Sequence, residues 1–207
     1  MNQSKNIAYL DTYMDSSGRV YQHEFFRERL ERVPLYELEQ HSLESYEALI
    51  IPNNIDEEFL YKHRGRVADF LDLGRIVISF AQTFLPWLPN KTLWQRSPLS
   101  INARTVLVNT EHLIFKGVTE YDLNYRRGVK GFFSRGYFDA PEGAEVVLKD
   151  NEGATVVYID RSTTKGTILA GAGTDLLGYG LGDTTTARRI GLQLIDWIDA
   201  ERRANGR

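Results

Sequence analysis

The chain has 207 residues, enough for one domain with a substantial core and cramped for two, and its 42% hydrophobic and 26% charged content excludes collagen-like, low-complexity and largely disordered classes. A formal net charge of -3 gives no whole-molecule steering toward nucleic acid or an anionic membrane, so neither is expected as a partner. The absence of cysteine removes disulfides, zinc-thiolate sites and thiol nucleophiles together, which suits a reducing cytoplasm.

The run Asn6 to Tyr13 is apolar, β-compatible and broken by Asp11, which reads as a first buried strand and lacks the apolar region of a signal peptide. No apolar stretch approaches membrane-spanning length. Tyr21 to Val33 places Phe26, Leu30 and Val33 at i, i+4 and i+7 among Arg and Glu, the stripe of a helix with one packed face. Tyr46 to Pro52 is a continuous hydrophobic run, the signature of a central strand covered on both faces. Asn54 followed by Glu57 fits a capping box, and Phe59, Val67, Phe70 and Leu71 continue at helical spacing to Gly74, a residue suited to the left-handed turn that ends a helix. Arg75 to Phe80 returns at once as a buried strand, so this strand, helix, strand order predicts a right-handed parallel crossover.

Between Leu85 and Thr105 periodicity is lost, and Pro86, Pro89 and Pro98 with Trp87 and Trp94 predict an ordered, irregular excursion suited to a lid or partner surface. Arg104 to Val108 reads as a further strand. Glu145 to Lys149 and Ala154 to Ile159 flank Asp150-Asn151-Glu152-Gly153, which predicts a β-hairpin. Gly166 to Gly171 is one more strand, followed by a glycine-rich loop, Thr184 as a cap, and a terminal helix whose face carries Ala187, Ile190, Leu194, Trp197 and Ile198. The expected fold is α/β: a single domain over 1–207, with a frayed tail from about residue 200, built as a three-layer sandwich around a flavodoxin-like, mostly parallel sheet with a C-terminal β-hairpin addition.

Four segments carry a resemblance: His112 to Val118, Arg135-Gly136-Tyr137-Phe138, Pro141 to Val146, and Lys165 to Leu169. Their order resembles the trehalose-utilisation (ThuA-like) and related branches of the class I glutamine-amidotransferase-like superfamily, where such segments frame the end of a flavodoxin-like sheet. In topology the resemblance covers most of the chain, and in residues it is concentrated between His112 and Tyr179. It implies a turn after the strand Arg75 to Phe80 that carries a cysteine in members that hydrolyse glutamine, with a His-x-Glu pair near the last strand. Here that turn reads Ala81-Gln82-Thr83-Phe84 without a glycine flank, and Gly173-Thr174-Asp175 stands where the histidine is expected. The implied fold therefore comes without its Cys-His-Glu relay, and amidotransferase activity is expected to be absent.

In open α/β sheets ligands collect outside the carboxyl ends of the parallel strands. Eight residues are candidates for such a crevice: Asp11, Asn53, Gln82, Thr83, Arg135, Tyr137, Asp175 and Tyr179. Each has a structural reading beside the functional one, since Asp11, Asn53 and Asp175 are also turn and cap residues and Gln82 can bond to backbone. Asp11 to Gly18 offers hydroxyls and one glycine but lacks both the glycine spacing of a phosphate loop and an Asp-x-Asp pair. Arg126 to Arg135 interleaves cations with aromatics and reads as a solvated or partner-facing loop rather than a nucleic-acid surface. His23, His41, His63 and His112 show no metal spacing, His112 reads as a turn or helix-start residue, and no cofactor motif is present, so neither metal nor cofactor is expected. The leading expectation is a protein that binds a small polar ligand or a protein partner and self-associates through sheet edges or the Trp87/Trp94 excursion. The alternative is a hydrolase acting on a small polar or carbohydrate-related substrate through Asp11, Gln82, Arg135 and Asp175.

Overall fold

A computed structural model of the chain describes residues 5–13, 15–126, 129–131 and 133–206. Five short segments form its parallel part: β1 (Ile7–Asp11), β2 (Leu30–Pro34), β3 (Ala48–Ile51), β4 (Ile76–Ser79) and β12 (Thr167–Gly171). Their spatial order is β2-β1-β3-β4-β12, every neighbouring pair parallel. The sheet then continues antiparallel through the hairpin β11 (Thr155–Asp160) and β10 (Glu145–Asp150) to an edge strand β6 (Val106–Val108). Two further strands, β5 (Trp94–Arg96) and β9 (Gly136–Phe138), pair with each other, and β9 joins β11 near Thr155. A separate two-stranded ribbon joins β7 (Tyr125–Arg126) to β8 (Val129–Lys130).

The two-residue period of the strands sends alternate side chains to opposite faces, and each face carries its own core. Ile7, Tyr9, Ile50 and Ile78 pack with Phe26 of α2 (Glu24–Arg29) and with Ile190, Leu194 and Ile198 of α6 (Ile190–Ala204). Ala8, Leu10, Leu49, Ile51 and Val77 pack with Leu60 of α3 (Glu57–Lys62) and Val67, Phe70 and Leu71 of α4 (Arg64–Asp72). Gly74, at φ 74°, makes the left-handed turn between α4 and β4.

The expected helix over Tyr21 to Val33 is divided. Helix α1 (Asp15–Gln22) and α2 end before Leu30, and Leu30 and Val33 are buried on an edge strand instead. Pro34 drives Val33 out of helical geometry, and parallel pairing of Leu30–Pro34 with Ile7–Asp11 holds the rest of the segment extended. The cap of α3 is Asp56, whose carboxylate accepts from Phe59 N at 3.0 Å, in place of Asn54. At the far end a 3-10 turn, Thr186–Arg189, precedes α6 and is held by Asp122 of α5 (Glu120–Asn124), which accepts from Thr186 N at 2.8 Å, so Thr184 is not the cap. Helix α6 also runs through the stretch expected to fray, and Glu201 is buried there, bonded by Arg161 Nε at 2.6 Å and by the Thr167 hydroxyl at 3.0 Å. Arg207 lies outside the described residues. No helix among the described residues is long and apolar enough to cross a membrane.

Candidate functional site

The segments that follow β1 and β3 lead to helices on opposite faces of the sheet, which puts the topological switch point, the place where such folds form a ligand crevice, at the carboxyl ends of these two strands. Asp11 closes β1 and is 1% exposed. Its Oδ2 accepts from Arg32 Nε at 2.7 Å and from Arg32 Nη2, while its Oδ1 accepts from Tyr13 N at 2.8 Å. Parallel pairing sets this geometry, since Arg32 lies opposite Tyr9 and Pro34 opposite Asp11. The guanidinium carbon of Arg32 sits 4.7 Å from the Tyr21 ring centroid and 5.6 Å from that of Tyr13. Tyr13 takes a left-handed backbone, φ 58°, and 70% of it is exposed. That conformation costs a tyrosine roughly 1 kcal/mol, offset by the Asp11 hydrogen bond and the cation beneath the ring.

Asp175 enters the crevice from the loop after β12. Its Oδ1 accepts from Leu177 N at 2.8 Å, and Gly178 N also donates to the carboxylate. Burial outweighs both donors and raises the carboxyl to about 6. Tyr9 links the two acids: burial first, then the charges of Asp175, Tyr21 and Asp11, push its phenol well above the ordinary tyrosine range. Tyr21 packs edge-to-face on Tyr9 at 5.6 Å, and burial with the charge of Asp11 raises it as well. The Tyr21 hydroxyl is buried without a hydrogen-bond partner among the described residues. The crevice therefore holds a carboxylate gripped by a guanidinium, a second carboxyl that changes charge near neutrality, and two phenols.

Of the eight residues expected in the crevice, Asp11 and Asp175 both raise the Tyr9 phenol through their charges. Asn53 and Gln82 follow β3 and β4, stay part-exposed and make no side-chain hydrogen bond among the described residues, so both remain available to a ligand. Thr83 is fully buried, its hydroxyl donates to the Ala81 carbonyl at 3.4 Å, and its own carbonyl accepts from Trp94 N at 2.8 Å. Tyr179 is buried with its hydroxyl donating to the Leu123 carbonyl at 2.7 Å. The Tyr137 hydroxyl donates to Gln95 Oε1 at 2.8 Å, and Arg135 is exposed. These four residues brace or edge the fold, because the chain after β12 is covered by segment 133–138 and by Trp94, whose indole N–H donates to the Ala172 carbonyl at 2.8 Å.

The Trp-rich excursion is a strap on the chain's own surface, with Trp87 buried to 1% in the core and Asn90 donating to the Tyr158 hydroxyl at 3.0 Å. His112 caps a 3-10 turn (Leu113–Phe115), accepting from Ile114 N at 3.3 Å. Residues 127, 128 and 132 of the basic-aromatic stretch, and Met14 of the first loop, lie outside the described residues. Among the described residues no three acidic or histidine side chains gather as metal ligands.

Spacing alone hides the part played by Glu57. One carboxylate oxygen accepts from Phe84 N at 2.7 Å, Leu85 N at 3.1 Å and Trp87 Nε1 at 3.3 Å, so Glu57 latches the strap beside Gln82 and Thr83 to the start of α3. Burial raises its carboxyl above the usual range against the pull of these donors. Glu57→Ala strands an indole N–H and a half-buried amide, a loss expected at about 1–3 kcal/mol in urea unfolding, with faster hydrogen exchange at Leu85. Glu57→Gln keeps an acceptor oxygen and recovers part of that loss. Equal stability of Ala and wild type would mean that the latch carries nothing.

No family model matches the chain, and no curated protein matches it. Solved structures do. The chain is similar to the mmIFT52 N-terminal domain, with a TM-score of 0.57 and 10% identity over 93% of this chain and 96% of that one. It is similar to a β-galactosidase from Rahnella, with a TM-score of 0.52, 12% identity and 95% of this chain covered, and to α-L-fucosidase isoenzyme 2 from Paenibacillus thiaminolyticus, at 0.50, 12% and 95%. It spans only 31% and 33% of those two glycosidase chains. At such identities the likeness is one of fold.

Proposed function

We propose that the chain is a flavodoxin-like, three-layer domain of the class I glutamine-amidotransferase-like type that has no amidotransferase relay and works by binding a small polar ligand or a protein partner. The strand order β2-β1-β3-β4-β12 with a packed cluster on each face supports the fold reading. The observation that carries the functional reading lies after β4. Where a nucleophile would stand, Thr83 is buried, turned back on its own backbone and covered by the Trp94 strap, with no base bonded to its hydroxyl among the described residues. The structural neighbours are consistent with a domain that also forms one part of longer chains.

A second reading, a hydrolase for a small polar substrate, is favoured by Asp175. A carboxyl that burial raises to about 6, in the loop after β12, has the setting of a general acid or base. The two readings separate in one assay series with the purified chain on glutamine, nitrophenyl esters and nitrophenyl glycosides. The binding reading expects no turnover above a protein-free blank. Hydrolysis that survives in Thr83→Val and disappears in Asp175→Asn would replace it with the hydrolase reading.

A further inference from the structure

The opposite end of the sheet carries a groove that the crevice does not touch. Segment 39–44 leads into the amino end of β3 and the last turn of α4 leads into that of β4, and between them lies a cavity of about 430 Å³. Its apolar side is made by Leu43, Phe70 and Leu73, the last 54% exposed. Its polar side carries the carboxylates of Glu39, Glu44 and Asp69 and one cation, Arg66. Arg66 Nη2 donates to the His41 carbonyl at 2.6 Å, and the nearby Arg75 donates to the Glu44 carbonyl at 3.4 Å and pairs with Glu47. Glu39 leans on His63 at 3.9 Å, while Glu44 and Asp69 meet no cation within ion-pair distance among the described residues. An exposed leucine beside two unneutralised carboxylates suits a group with an aliphatic stem and a positive head, the make-up of lysine and arginine side chains.

We propose that this groove docks a basic segment of a partner protein, with lysine or arginine stems on the exposed Leu73, over the buried Leu43 and Phe70, and their charged heads on Glu44 and Asp69. The inference is independent of the crevice, so failure of either reading leaves the other standing. The test titrates the full chain with an eight-residue Lys/Arg peptide, with an acidic peptide of equal length and with spermine, followed by amide chemical shifts. Saturable binding of the basic peptide is expected, with shifts confined to residues 39–44 and 66–73 and affinity falling as salt rises. The surface variant E44Q/D69N is expected to bind about fivefold or more weakly, and Leu73→Ser to weaken the peptide while leaving any spermine binding unchanged. Absence of binding at low salt, equal binding by E44Q/D69N, shifts centred elsewhere, or spermine binding as tight as the peptide would overturn the proposal.

Discussion

Asp175→Asn is expected to stabilise the protein at pH 7.5 and to do little at pH 4. The carboxyl rises from an ordinary 3.8 to about 6 because burial penalises its charge. A folded value above the unfolded one means that the fold binds the proton more tightly, so the favourable contribution is full below about 4 and is lost as pH climbs through about 6. Above that point the folded chain carries a desolvated charge that the unfolded chain solvates freely. Asparagine keeps an oxygen for the Leu177 and Gly178 amides and removes the charge. Asp175 retains some exposure, so the gain is set below the full shift, at about 1–2 kcal/mol, or about 3–6 °C in Tm for a chain of this size. The measurement is the difference in Tm between variant and wild type across pH 4 to 8, in which the other titrating groups cancel. A difference that stays flat with pH would show that Asp175 is not the desolvated acid described here.

A group that lowers stability at neutral pH and sits in a crevice is a functional candidate on physical grounds. The stability profile and the turnover assay then address separate questions. A stabilised Asp175→Asn protein in which wild type shows no hydrolysis would leave Asp175 as a ligand-facing acid of a binding site. Asn53 and Gln82, part-exposed at the same edge, are the amides nearest in topology to complete it.

How legible a residue was in the sequence depended on whether its neighbours were local. Strands β1, β3, β4 and β12 announce themselves as aliphatic runs because both their faces are covered, and the hairpin because Asp150 to Gly153 spells its turn. Strand β2 was hidden, since Phe26, Leu30 and Val33 satisfy helical spacing and only Pro34 argues otherwise. With β2 misread as helix, Arg32 fell on a solvated face, and its grip on Asp11 could not be foreseen because parallel register creates it. Asp11 and Asp175 are visible as acids at strand ends, whereas Tyr9 reads as one residue of a buried strand and Tyr21 only opens the expected helix. Glu57 shows the same limit from the other side. Its spacing fits a local capping box, yet its carboxylate finds three donors 27 to 30 residues away.

Gly173→Ala is expected to be the most damaging single methyl in the crevice. The backbone of residue 133 crosses directly over Gly173, so that a Cβ there would overlap the carbonyl oxygen, carbonyl carbon and Cα of Phe133. Backbone cannot swing aside as a side-chain tip can, so either the 133–138 segment lifts or the loop carrying Asp175 moves. Both responses break packing, since the Phe133 ring lies on Tyr179 at 4.3 Å and Tyr179 is pinned to the Leu123 carbonyl. A loss of about 3 kcal/mol follows from overpacking of this kind, enough to shift a urea midpoint by about 1 M or more. The control is Gly143→Ala. Gly143 has φ 79° but nothing within 4 Å of a new Cβ, so only the conformational cost of about 1 kcal/mol applies. If the two variants unfold at the same urea concentration, segment 133–138 does not rest on the loop after β12, and the description of that loop and of Tyr179 as covered fails with it.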